Sequence, residues 1–174
     1  MRLMTISLGV LSSVLLLAED AQAQRPVYQD KEVMNYRLSM EKLRKLVDVQ
    51  RSLTAANAKN ARLFDVMDGN MRETAKKNGR PLTVAQKAAI MDRNPEAKRV
   101  FTRAGWSARE WLLTTETMGD AYLSIEARKG TVSAPPPTTQ AQKANVALLE
   151  QNRAEFQAIM EELDQLSDEL LNQE

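Results

Sequence analysis

The sequence predicts an all-α protein, a single-domain helical bundle with long first and last helices and short central ones. Three observations predict it. Apolar residues recur three and four apart along most of the chain. No stretch shows the two-residue alternation of a half-buried strand. Gly, Pro and capping residues punctuate the chain at helix-length intervals.

The first 23 residues read as a leader rather than as part of that bundle. Arg2 supplies a positive charge, and Leu8 to Ala18 forms an apolar stretch of about a dozen residues. Ala21-Gln22-Ala23 then places small residues where signal peptidase requires them, so cleavage is expected after Ala23. The apolar stretch is shorter than the ~20 residues that span a bilayer. No Cys is present to take a lipid anchor. The expectation is a mature protein of residues 24–174, periplasmic or secreted from a bacterium, with no membrane span after cleavage.

In the mature chain, Val33, Tyr36, Met40, Leu43 and Val47 mark one stripe, predicting a first helix over 28–53. Leu63, Phe64, Met67 and Met71 predict a second over 56–77, closed by Asn78-Gly79 and Pro81. Whether these two are separate helices or one is left open by the pattern. Thr83 with Gln86 three residues on has capping-box spacing and opens a short helix to Met91. Asn94-Pro95 supplies a cap and a first-position proline for another short helix, ending near Ala104-Gly105. Ser107 and Glu110 repeat the box spacing. Trp111, Thr115, Met118, Tyr122 and Ile125 then define a helix over 108–128. Pro135-Pro136-Pro137 makes residues 131–138 an extended linker. Leu149, Phe156, Leu163 and Leu170, seven apart, predict a last helix over 140–172, on the order of 50 Å long. A rod that long is expected to project or to pair with another molecule.

Composition excludes much chemistry. The chain has no Cys and no His. Covalent haem attachment, thiol or histidine catalytic triads and the usual zinc sites are therefore closed to it. Without disulfides, the 151 mature residues must hold together by packing alone. Beyond the leader there are 23 basic and 21 acidic residues, a net of +2, which is no footprint for nucleic acid. The distribution is uneven. Lys59 to Arg103 carries 11 basic and 5 acidic residues, and Asn145 to Glu174 carries 8 acidic residues against Arg153 alone. Either the two stretches neutralise each other inside the fold, which is the plainer expectation, or one of them forms a partner-binding face.

Candidate constellations are few. Asp65 to Asn70 has the flavour of a calcium loop, but aligning Gly69 with the loop glycine puts Phe64 at the first ligand position, and Phe cannot coordinate. The methionines sit mostly on apolar stripes and suit core packing. The carboxylates of the last helix read as a solvated face rather than a catalytic pair. The densest segment is Arg103 to Trp111, which holds both tryptophans. Arg103, Trp106, Arg109 and Trp111 are the candidate ligand or partner surface, since two large rings beside two guanidinium groups can stack or receive an anionic group. The plainer alternative places Trp111 in the core and Trp106 over the helix junction.

Through Ala104-Gly105-Trp106-Ser107-Ala108-Arg109-Glu110 the chain resembles a loose group of small exported bacterial proteins of unknown function. They share an Ala-Gly-x-Ser/Thr-x-Arg-Glu junction and a final helix after a Pro-containing linker. Asn145-Val146 and Arg153-Ala154-Glu155 extend the likeness. The resemblance implies export and a helical fold but no activity. Where the group leads one to expect a His in the last helix, this chain has Asn152-Arg153.

Taken together, these features predict a non-enzymatic protein-interaction or self-associating bundle in the bacterial envelope, without a cofactor or metal. Its partner would be another envelope protein or itself. The alternative is a small-ligand-binding bundle with its pocket near Trp106, Arg109 and Trp111.

Overall fold

Helix ends leave backbone groups unpaired, and in this chain local side chains cap the starts of five helices among the described residues. A computed structural model describes residues 30–59 and 63–171. It contains α1 (Lys31–Asn35), α2 (Met40–Lys59), α3 (Leu63–Asn78), α4 (Val84–Met91), α5 (Pro95–Arg103), α6 (Ala108–Arg128), α7 (Gln140–Gln151) and α8 (Arg153–Leu171). No strand occurs among the described residues, and the fold is all-α. The leader and its cleavage site lie outside them.

Thr83 and Gln86 form the expected reciprocal box at the start of α4. Asn94 Oδ1 accepts from the amides of Glu96 and Ala97 above Pro95. Ser107 Oγ accepts from the Glu110 amide, but the box is only half made. Glu110 turns its carboxylate to the Tyr36 hydroxyl (3.5 Å) and to Lys42 (3.9 Å) instead. A further complete box, Thr139 with Gln142, opens α7 directly after the proline linker.

Three expected boundaries are corrected. The helix expected over 28–53 is two elements, because Tyr36 is extended (φ −73°, ψ 139°) and α2 begins only at Met40. Asn145 of α7 causes this break to be favourable. It accepts from the Leu38 amide (3.0 Å) and donates to the Tyr36 carbonyl (2.9 Å), replacing the bonds a continuous helix would have made. Next, α2 continues at least to Lys59, beyond the expected 53, and residues 60–62, between it and α3, lie outside the described residues. The last helix, expected unbroken over 140–172, divides at Asn152 (φ −112°, ψ 34°), whose side-chain amide donates back to the Leu148 carbonyl. Two helices of 12 and 19 residues replace one long rod.

That division lets both halves fold onto the body of the protein. α7 packs on α6, while α8 lies along α2. Val146, Leu149, Phe156, Ile159, Leu163 and Leu166 are all buried, so the seven-residue stripe is used internally. α2 sits at the centre with Leu43, Val49 and Leu53 fully enclosed, touching α5, α6 and α3 as well as α8. Each such side chain contributes roughly 1.5–3 kcal/mol through removal from water.

The segment from Asp30 to Ser39 is strapped across α6 and α7. Asp30 caps its own helix through the Glu32 amide and accepts from the Val84 amide of α4 with its other oxygen (2.8 Å). Thr139 donates to the Met34 carbonyl, and the Tyr36 hydroxyl meets Thr114. By contrast α3 is lightly held, with only Leu63 and Met67 buried. Gly69 lies inside this helix, and an added methyl group there would meet no atom within 4 Å. Gly69→Ala is therefore expected to stabilise the fold by about 0.5–1 kcal/mol, seen as a higher midpoint in urea unfolding.

Candidate functional site

The Arg103–Trp111 junction is built by two helix ends meeting. α5 closes in a Schellman motif, with Trp106 N–H donating to the Phe101 carbonyl (2.9 Å) and Gly105 N–H to Thr102 (3.1 Å). Gly105 takes the left-handed conformation that this turn requires (φ 60°). Ser107 then caps α6.

The turn sends the four candidate residues in different directions. Trp111 is 6% exposed and packs in the core, its ring 6.2 Å from that of Phe101 and tilted 52°. Its indole N–H is buried without an acceptor. Arg109 points outward to α1, where Nε and a terminal nitrogen both reach one Glu32 oxygen (3.0 and 2.8 Å). Trp106 is half-buried under Lys45, whose ammonium lies 5.5 Å from the ring centre and donates to the Gly105 carbonyl (3.2 Å). Arg103 is exposed and borders a groove between α2 and α5. The structure thus brings Arg103 and Trp106 to the α2 side and separates them from Arg109 and Trp111.

That groove has a volume of about 720 Å³ and is open along its length. Sequence reasoning did not find it. It joins residues 41–59 to residues 96–104, and no spacing within either segment marks the other as its neighbour.

Both charged stretches take part in ion pairs. Within the basic stretch, Arg72 pairs with Asp68, Lys77 with Glu73 and Arg99 with Glu96, while Lys87 reaches Glu116 on α6. The acidic stretch pairs elsewhere: Glu155 with Arg44, Glu162 with Arg51 and Glu150 with Arg128. Each of these pairs falls within one stretch or joins it to a residue outside both.

A second polar cluster was also missed. Lys87 and Glu116 meet at 2.8 Å with both side chains under a fifth exposed. One turn on, burial and then the Glu116 charge push the Asp120 carboxyl up to about 6. The carboxyl is crowded by protein atoms, yet the residue keeps an exposed edge, so solvent screening reduces the energetic effect. The raised value means that the folded state holds its proton between about pH 4 and 6, where the unfolded chain has released it. Asp120 therefore costs stability as pH rises through that window. Asp120→Asn is expected to flatten this decline and to add about 1 kcal/mol at pH 7, read from thermal unfolding at pH 4.5 and 7.

No group of three or more acidic residues that could hold a metal ion occurs among the described residues, and no helix there is long and apolar enough to cross a membrane. The geometry defines an all-α protein with a groove of charged rim and largely apolar floor on one flank and a basic excess in its α3–α5 segment. No family model, curated protein or solved structure matches the chain.

Proposed function

We propose that this chain is an exported, non-enzymatic protein of the bacterial envelope that acts by binding a partner protein. The observation that carries the reading is the basic excess of residues 59–103, 11 basic against 5 acidic residues, with Arg72, Lys77 and Arg99 pairing inside the stretch and Lys87 with Glu116. A surface of one sign accelerates encounter with a partner of the other and disfavours like-charged ones. The absence of Cys and His from the sequence supports a binding role over a catalytic one.

Between the two kinds of partner, the packing of α8 favours a different protein over a second copy. Its apolar stripe is already engaged with α2, and its outer positions Gln157, Glu161 and Gln165 offer no greasy anchor for a symmetric contact. A small-ligand pocket framed by Trp106, Arg109 and Trp111 lacks comparable support, since Trp111 is in the core and Arg109 is held by Glu32.

In-cell crosslinking of a tagged chain in its native bacterium, with fractionation of the envelope, tests the reading. The expected result is a chain starting at Gln24 outside the cytoplasm, joined to a specific partner. An unprocessed cytoplasmic chain with no crosslinked partner would overturn it.

A further inference from the structure

We infer that the groove between α2 and α5 is a docking site for an acidic helical segment of another protein. This rests on the partner-binding reading above and names its site and its chemistry.

Shape is the first reason. The α2 wall runs from Glu41 to Lys59, roughly 27 Å of helix, so the groove is long and open rather than closed around a compact ligand. The floor is the second. It is made of Val49, Ser52, Ala55, Ala56, Val100 and Ala104, small residues that let another backbone lie close. Val49, Val100 and Ala56 are buried, while Ser52 and Ala55 face outward. An elongated trough with a small apolar floor suits a helix laid in by one face.

Charge selects the occupant. Of the acidic groups on the rim, Asp48 is paired with Arg51 and Glu96 with Arg99, while Glu41 makes no ion pair among the described residues. Of the basic ones, Arg44 is committed to Glu155. Lys45 has only a backbone carbonyl and an indole face, and neither offsets its charge. Lys59 and Arg103 have no carboxylate within ion-pair distance among the described residues. Among the described residues the groove charges outside any ion pair are thus three cations, Lys45, Lys59 and Arg103, against one carboxylate, Glu41, and this cationic excess complements carboxylates on the margins of an incoming helix. The acidic helix of a second copy is the weaker candidate, because the apolar face that would rest on the floor is already buried against α2.

Trp106 provides a built-in reporter. A carboxylate that draws Lys45 away from the indole changes the emission of Trp106, while Trp111, enclosed in the core, stays constant. The probe is an 18-residue helical peptide with an Ala/Leu strip flanked by Glu on both margins. It is titrated into the full mature chain beside the same peptide with Gln, or with Lys, in place of Glu. The expected result is saturable binding of the Glu peptide with a change in Trp106 emission, at least roughly tenfold tighter than the Gln peptide and weakened by salt. Lys59→Glu with Arg103→Glu, both exposed sites, should weaken it by roughly tenfold or more. Ala55→Trp should block the floor, and Trp106→Phe should abolish the emission change but not the heat of binding. Equal binding of the Glu and Gln peptides, or no loss in the charge-reversed chain, overturns the proposal.

A photo-crosslinker at position 55 in the native bacterium separates this inference from the reading beneath it. Adducts to a partner's acidic helix, lost on charge reversal, support both. Adducts to a second copy overturn the occupant proposed here. A partner captured only from other surfaces overturns the groove and leaves the partner-binding reading standing. No adduct from any surface position overturns both.

Discussion

Trp111→Ala is expected to destabilise the protein by about 3–5 kcal/mol, the cost of emptying a large aromatic site in a packed core. The residue is 6% exposed and braces α6 against Phe101 of α5, so the cavity opens at the crossing of two helices. Trp111→Phe should behave quite differently. The indole N–H is buried with no acceptor, and removing it relieves an unmet donor while retaining most of the ring. A cost of about 1 kcal/mol is expected for Phe. Urea unfolding followed by circular dichroism measures both. A cost for Ala below that of Phe would place Trp111 at the surface and restore the ligand pocket framed by the two tryptophans.

Asn145→Leu carries the second large effect. The variant has a side chain of similar size but leaves the Leu38 amide and the Tyr36 carbonyl without partners in the interior. Two stranded backbone groups should cost about 3 kcal/mol together. In a chain of this size that lowers the melting temperature by roughly 6–12 °C. Hydrogen exchange gives the specific signature, since the Leu38 amide should lose protection while those at the centre of α2 keep it. Uniform loss of protection along both segments would instead show that Asn145 is merely a packed residue.

These two residues also show what could and could not be read from the chain. The burial of Trp111 and the ends of α4 and α5 were legible because their causes are local. Thr83 and Gln86, or Asn94 and Pro95, satisfy nearby amides whatever the rest of the protein does. Thr139 and Gln142 carried the same signal and were passed over beside the proline linker. The break at Tyr36 was not legible. Its cause, Asn145, is more than a hundred residues away, and the apolar stripe continues across the break without a change of period. The break at Asn152 is likewise set by one side chain folding back on its own helix, with no Gly or Pro to announce it. Of the candidate site, Arg103 and Trp106 were found from composition. Their neighbour Lys45 was missed, because only the approach of α2 to the α5–α6 turn brings it there.

The strap at residues 30–39 has a kinetic consequence. Its anchors close loops of 54 residues from Asp30 to Val84, 105 from Met34 to Thr139 and 107 from Leu38 to Asn145. Contacts so distant along the chain are rewarded only after the intervening helices have assembled. The transition state for folding should therefore lack them. Weakening the clasp, for instance with Asp30→Ala, should then hasten unfolding while leaving the refolding rate almost untouched. The strap would act as a latch on the lifetime of the native state, fastened after the barrier has been crossed.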